Sequence, residues 1–128
     1  MNRLEAEAKA HGMTIFARLN HGALAEQAGL ALRPTELILF GNPRGGTLLM
    51  QVNQTIGIDL PLKALVWQDA AGRTWISCNE PRWLAERHGV EVADLVLASM
   101  GSTLNEIAGN AAAERSQEVT KDAKGSVN

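Results

Sequence analysis

The chain has 128 residues, of which 45% are hydrophobic and 20% are charged, a composition typical of one globular domain and unlike that of a disordered or collagen-like chain. Twelve Lys and Arg residues against 14 Asp and Glu give a net charge of -2, and the absence of a basic block argues against nucleic acid binding. With one cysteine, no signal-like leader and no apolar run long enough to span a bilayer, the sequence predicts a reducing, cytoplasmic location and no membrane association.

Four segments in the first half of the chain show helix or strand periodicity, in the order helix, strand, helix, strand: residues 2–11, 13–20, 21–28 and 35–40. Glycines at positions 12 and 29 are predicted to end the two helices. In the second helix, Leu24 and Ala28 lie one turn apart and are predicted to face a sheet. The consecutive apolar residues of the second strand are typical of a central strand.

The second half predicts a helix, two strands and two further helices: residues 43–53, 62–68, 74–78, 81–87 and 91–112. The sequence DAAG between the two strands is a turn signal, so the strands are predicted to pair as an antiparallel hairpin. The last helix places four residues on one stripe: Val92, Leu95, Val96 and Ser99.

This order of elements predicts an α+β fold, in which helices pack on one face of a mainly antiparallel sheet to form a two-layer sandwich. Residues 1–113 are predicted to be a single domain. Residues 114–128 lack apolar periodicity and are predicted to be a disordered tail.

The stretch FGNPRGGTLLM, residues 40–50, has the glycine spacing of a phosphate-binding P-loop, but Thr47 occupies the position of the expected lysine. Asn42 and Pro43 instead favour a helix that begins at the proline with the asparagine as N-cap. The N-terminus of this helix, with Arg44 in its first turn, suits a small anion or carboxylate. The alternative is an N-capped helix that binds nothing.

Three histidines each precede a glycine. His11 and His88 are predicted to lie at helix C-termini, where a polar or cationic side chain suits the helix dipole. His21 follows a strand and begins a helix, so a hydrogen-bonding, general-base or metal-binding role stays open. A structural zinc site is not predicted, and a copper(I) site from His21, Met50 and Cys78 competes with the simpler interpretation that both sulfur residues are core.

Asp59 and Lys63 flank a Leu-Pro pair and are predicted to point to the same side, where they either pair with each other or contact a polar ligand. Trp67 and Trp75 lie on adjacent predicted strands, and cross-strand packing accounts for them without a ligand. No catalytic triad, acid pair or activated thiol can be assembled from the sequence.

Read in order, FGNPRGGTLLM, IDLPLKALVWQD, GRTW and NEPRWLAERHG resemble the domain of unknown function 302 family. The resemblance implies a β-α-β(4)-α domain similar to the TATA-binding-protein fold, and a homodimer. That pattern has five strands whereas four are predicted above, so the fifth is expected within residues 55–60 or from a split strand around Pro61.

The resemblance also implies a set of ligand-binding candidates: His21, Asn42, Arg44, Thr47, Met50, Asp59, Lys63 and Asn79. Cys78 stands where the family usually has tyrosine. The leading hypothesis is a non-catalytic homodimeric module that binds a small anionic or amphipathic ligand, without a cofactor. The alternatives are an enzyme that uses His21 as general base, oriented by Asp59 or Asn42, and a purely structural or partner-binding subunit.

Overall fold

The helices and strands follow the order predicted from the sequence. A computed structural model describes residues 1–91 and 94–113. Its helices are α1 (Asn2–Ala10), α2 (His21–Gln27), α3 (Pro43–Val52), α4 (Pro81–Arg87) and α5 (Asp94–Ala113), with a 3-10 helix, η1 (Gln54–Asp59). Its strands are β1 (Thr14–Asn20), β2 (Thr35–Gly41), β3 (Leu62–Gln68) and β4 (Thr74–Cys78).

The four strands form one antiparallel sheet in the order β1-β2-β3-β4. The predicted β3–β4 hairpin and the central position of β2 are therefore confirmed. A register shift between Ile15 and Ala17 places a bulge in β1. The segment expected to hold a fifth strand is η1 instead, because Asn53 accepts a bond from the Thr55 N–H and starts a helical turn. The part of the chain that the structure describes has four strands.

Local capping explains where several helices begin and end. Asn42 Oδ1 accepts a hydrogen bond from the Arg44 N–H at 3.0 Å, with Pro43 in the first turn of α3. Gly12 and Gly29 both have φ of 75° and end α1 and α2 in the left-handed region, as predicted. These boundaries therefore follow from signals only a few residues long.

One face of the sheet, called the inner face, carries the main core. Alternate residues of β2, β3 and β4 point to this side: Ile38, Phe40, Ala64, Ile76 and Cys78. They pack against α1 and α5, whose buried residues in this cluster are Leu4, Ala8, Leu104, Ile107, Ala108, Ala111 and Ala112. A second cluster joins α3, η1, α4 and α5 at one end of the same side: Leu49, Ile56, Leu62, Leu84, Ala85, Val90 and Leu97. The predicted two-layer α+β architecture is confirmed.

The prediction that Leu24 and Ala28 of α2 face the sheet is wrong, and the predicted stripe of α5 is not its packed face. Leu24 is 49% exposed and Ala28 is also exposed. On α5, Leu95 is 80% exposed and Val96 43%, Ser99 is exposed, and Val92 lies outside the described residues. Helical spacing shows which side chains share a face, but not which way that face points. In α5 the packed face is rich in alanine, which lets the helix approach the sheet closely.

The opposite side of the sheet, called the outer face, is apolar but belongs to neither core cluster. Residues directly opposite in register share a face, and those on this side are Ala17, Leu19, Leu37, Leu39, Lys63, Leu65, Trp67, Trp75 and Ser77. Trp67 and Trp75 are stacked across the strands, with ring centroids 6.2 Å apart, as predicted. The five apolar residues on β2, β3 and β4 are only half-buried.

Asp69 holds the β3–β4 turn together. Its Oδ1 accepts from the N–H groups of Ala71 and Arg73 at 2.9 and 3.0 Å, and its Oδ2 accepts from Trp75 Nε1 at 2.8 Å. The Trp75 bond, followed by that from Arg73, lowers the pKa of Asp69 below its ordinary value of 3.8. Because the pKa is lowered on folding, this contribution to stability is present above pH 3.8 and is lost as the pH falls through the lower pKa of the folded state.

Candidate functional site

A cleft opens where α3 leaves the end of β2. Its volume is about 410 Å³, within the range of sites for small molecules. The walls come from the β1 bulge, the N-terminal half of α3, the η1–β3 connection and α5: Met13, Phe16, Gly41, Asn42, Pro43, Gly45, Gly46, Thr47, Met50, Gly57, Leu60, Pro61, Leu62, Ser99, Met100 and Thr103.

The lining of the cleft is mostly apolar and carries no charged side chain among the described residues. Three of the chain's four methionines contribute to it: Met13, Met50 and Met100. Methionine side chains are flexible and polarizable, and they adapt to apolar ligands of different shapes. The surface chemistry therefore suits the apolar part of a small molecule.

Polar groups of α3 lie at one side of the cleft. Asn42 uses its side-chain oxygen as the cap of α3, which leaves its amide NH₂ as a donor. Thr47 Oγ1 donates to the Pro43 carbonyl at 2.7 Å and keeps its lone pairs as acceptors. The N–H groups of the first turn of α3 and the positive end of its dipole lie at the same place. This side is suited to a hydrogen-bonding head group.

Two glycines keep part of the cleft free of side-chain atoms. A Cβ at Gly46 would lie 3.7 Å from Leu60 Cδ1 and 4.0 Å from Met50 Cε, and a Cβ at Gly57 would lie 3.1 Å from Met50 Sδ. A side chain larger than alanine at position 46 would therefore extend into the volume between α3 and the η1–β3 connection. Gly46 of the sequence motif thus keeps this space open.

A hydrogen-bond network around Asp59 fixes the wall next to the cleft. His88 Nε2 lies 2.5 Å from Asp59 Oδ2, and Arg87 Nη1 donates to Asp59 Oδ1 at 3.3 Å. The side chains of His88 and Asp59 are 10% and 17% exposed. This pair joins the end of η1 to the C-terminus of α4.

The other side of the His88 ring extends the network to the start of η1. His88 Nδ1 lies 3.1 Å from Thr55 Oγ1, which donates to Asn53 Oδ1 at 2.8 Å. Asn53 Nδ2 in turn donates to the His88 carbonyl at 2.6 Å. Both ends of η1 are thereby tied to α4, and η1 carries the cleft residue Gly57.

The structure brings three of the predicted ligand-binding residues to the cleft: Asn42, Thr47 and Met50. Arg44 is exposed and Asn79 is exposed just after β4, and neither lines the cleft. Lys63 and Asp59 do interact, but through the backbone: Lys63 Nζ donates to the carbonyls of Asp59 and Pro61 at 3.3 and 3.2 Å. The Asp59 carboxylate is bound by α4.

His21 lies at the other end of the sheet. It follows Asn20, which pairs with Glu36, whereas Asn42 follows Gly41 at the far end of the same strand. Glu36 and Gly41 are five steps apart along β2, a distance of roughly 17 Å. Neither the pairing of His21 with Asn42 or Asp59 nor a copper(I) site with Met50 is formed, and Cys78 is buried in the main core. Within residues 1–91 and 94–113, no three His, Cys, Asp or Glu side chains are grouped for a metal ion.

Several site residues were missed by the sequence analysis. His88, Thr55 and Arg87 lie about 30 positions from their partners or in a different element, so no local pattern connects them. Ser99 and Thr103 are one helical turn apart on α5, a spacing that indicates a shared face but not a cleft. The strongest signal for the site remained the FGNPRGG motif.

The fold and cleft define an α+β domain with an open four-stranded antiparallel sheet. The model of the family described as "Domain of unknown function DUF302" matches residues 1–107, and the chain belongs to this family. A crystal structure of an uncharacterized conserved protein DUF302 from Bacillus stearothermophilus superposes with a TM-score of 0.77 at 22% identity and covers 86% of each chain. At that identity, the likeness shows the fold.

Curated relatives carry the name of a fluoride-specific ion channel. Over 101 residues, 78% of this chain, it is 50% identical to "Fluoride-specific ion channel FluC 1" of Brucella suis biovar 1 and to "Fluoride-specific ion channel FluC 2" of Brucella melitensis biotype 1. The match covers 40% and 37% of those proteins, so the chain spans about two fifths of their length.

No helix within the described residues has both the length and the apolar character needed to cross a membrane.

Proposed function

We propose that this domain is a non-catalytic homodimeric module that binds a small amphipathic ligand in the cleft between α3 and α5. The cleft of about 410 Å³ carries this proposal, because its apolar lining meets a hydrogen-bonding edge at Asn42 and Thr47. The apolar part of the ligand lies against the methionines. Its head group lies at the start of α3.

The charge of the surroundings favours particular head groups. The cleft has no charged lining among the described residues, so a strongly ionic ligand would lose hydration without gaining a salt bridge. The N-terminus of α3 nonetheless favours a head group that is anionic or accepts hydrogen bonds. A carboxylate or hydroxyl group on a short apolar chain fits both conditions.

The position of His21 favours binding over catalysis. A general base has to reach the proton that it removes, and His21 lies at the end of the sheet opposite Asn42. The His88 ring is engaged by Asp59 and Thr55. Neither histidine lines the cleft.

Octanoate is expected to bind the wild-type protein, and Gly46→Leu is expected to weaken its binding at least tenfold. The leucine side chain would occupy the cleft beside Leu60 and Met50, while position 46 stays compatible with helix. Isothermal titration calorimetry measures the affinity. Leu48→Ala is the matched control, since Leu48 is a 51% exposed residue of α3 that does not line the cleft.

Two outcomes contradict this proposal. One is that octanoate and 1-octanol both fail to bind the folded wild-type protein. The other is that either binds with the same affinity to wild type, Gly46→Leu and Leu48→Ala, which would place the ligand elsewhere. Tighter binding of octanoate than of 1-octanol is the result expected from the dipole of α3.

The curated relatives favour a second candidate function, that of a module acting together with a fluoride channel. This candidate is based on the 50% identity between this chain and a segment of proteins named for that activity, a segment that makes up about two fifths of their length. The test removes the matched segment from the Brucella suis protein and supplies this chain separately. Co-elution of the two in detergent is expected under this candidate, and separate elution would count against it.

A further inference from the structure

The outer face of the sheet carries half-buried apolar side chains that lie outside both core clusters of the described chain. Leu37, Leu65, Trp67 and Trp75 lie at its centre, and none of them belongs to a core cluster. Leu19 extends the surface onto β1 and is 42% exposed. Contiguous apolar patches of this kind on a folded domain mark interaction sites, and tryptophan is enriched where such contacts are strongest.

The two indole N–H groups and the Lys63 ammonium on the outer face are hydrogen-bonded within the chain. Trp67 Nε1 donates to Ser77 Oγ at 2.9 Å and Trp75 Nε1 to Asp69 Oδ2 at 2.8 Å. Lys63 is the face's ionisable residue, and its ammonium is held by two carbonyls of the same chain. A partner can therefore cover the centre without leaving these groups unpaired.

Charged groups lie at the rim of the outer face. Arg73 lies over the Trp75 ring at 5.1 Å, and Asp69 accepts from the same indole. At the end of β3, Arg33 Nε donates to the Gln68 carbonyl at 3.2 Å. An apolar centre with a polar rim of both signs is the anatomy of a protein interface.

The size and the charge of the outer face favour a second copy as its occupant. Four strands about 4.8 Å apart, of which β1, β2 and β3 have seven residues and β4 has five, give a face of roughly 19 by 24 Å at its longest. Two such faces have a combined projected area of about 900 Å², and protruding Leu and Trp side chains raise the buried surface towards the roughly 1,200 Å² at which specific interfaces begin. In a two-fold dimer, the same surface of each copy lies against its counterpart. Because the centre of the outer face is uncharged, this arrangement causes no like-charge repulsion there.

We propose that two copies of this chain associate through their outer faces, with the sheets packed against each other. This assignment rests on the homodimer within the proposed function and is independent of the ligand, because the cleft lies on the other side of the sheet. Sheets that pack face to face lie about 10 Å apart, a spacing that the Leu and Trp side chains fill.

Leu65→Lys is expected to raise the dissociation constant of the dimer at least about 100-fold, because each copy would place an ammonium in the apolar centre. Sedimentation velocity over a range of concentrations measures it. Leu48→Lys is the matched control on exposed α3 and is expected to leave the dimer intact. Leu19→Lys, on the more exposed edge strand, gives a second variant in case Leu65→Lys does not fold.

A wild-type protein that stays monomeric at about 100 µM overturns the assignment. Sedimentation of such a monomer with phosphatidylcholine vesicles would mean that the outer face binds lipid instead, and it would overturn the assignment as well. It is equally overturned by a dimer that Leu65→Lys and Leu19→Lys leave unchanged. Octanoate titration separates the two proposals. If these variants dissociate the dimer and the protein binds no octanoate, the proposed interface is supported and the proposed ligand is contradicted.

Discussion

Replacing Ile56 with alanine is expected to lower the free energy of unfolding by about 3 kcal/mol, whereas Ile58→Ala is expected to change it by less than about 0.5 kcal/mol. Ile56 is fully buried in the second core cluster, and Ile58 is 78% exposed. Both residues lie in η1, so the effect of an Ile-to-Ala substitution on the 3-10 helix itself is similar in the two variants. The difference between their free energies of unfolding therefore reports the burial of Ile56. Urea denaturation with a shared slope measures the difference.

A similar loss from both substitutions would contradict the packing described for η1. The comparison bears on the cleft as well, because η1 contributes Gly57 to its wall. Anchoring of Ile56 in the core holds that wall at a set distance from α3. A loss confined to Ile56 would support a pre-formed cleft.

Asp59→Ala is expected to lower the free energy of unfolding by about 2 to 3 kcal/mol. The substitution removes the acceptor of a His88 side chain that is only 10% exposed, and it leaves Arg87 without this partner. A buried donor left without an acceptor costs more than the bond contributes while it is intact. Urea denaturation at constant pH provides the measurement.

A double-mutant cycle with His88→Ala separates this pair from general effects of each substitution. The coupling free energy between positions 59 and 88 is expected to exceed about 1 kcal/mol. Asp69→Ala with His88→Ala provides the control cycle, since Asp69 belongs to the β3–β4 turn. Additive effects at positions 59 and 88 would show that the hydrogen bond contributes nothing measurable.

Elements with local signals were predicted well. The hairpin strands 62–68 and 74–78 and the helix 81–87 match the structure residue for residue. The Asn42 cap and the proline after it predicted the start of α3. In each case a turn, a cap or an alternation within a few residues selects the backbone conformation, so distant parts of the chain are not needed.

Features that depend on element orientation were predicted poorly. Leu95 and Val96 were predicted to share a stripe of α5, but the spacing did not show that this stripe is exposed, because the direction of the buried face depends on the sheet beneath it. Asp59 was predicted either to pair with Lys63, four positions away, or to contact a polar ligand, whereas its carboxylate binds His88, 29 positions away. Met100 and Thr103 join the cleft only because α5 crosses beside α3.

The amino-acid sequence was sufficient to predict the α+β class, the strand hairpin, the caps and three residues of the cleft, because short-range sterics and hydrogen bonds depend on neighbouring residues. The tertiary structure decided that Asn42, Thr47 and Met50 share a cleft while His21 lies at the far end of the sheet. Tertiary packing also leaves the half-buried apolar residues of the outer face outside both core clusters. Both outcomes depend on how whole elements pack, and packing depends on contacts between residues far apart in the chain.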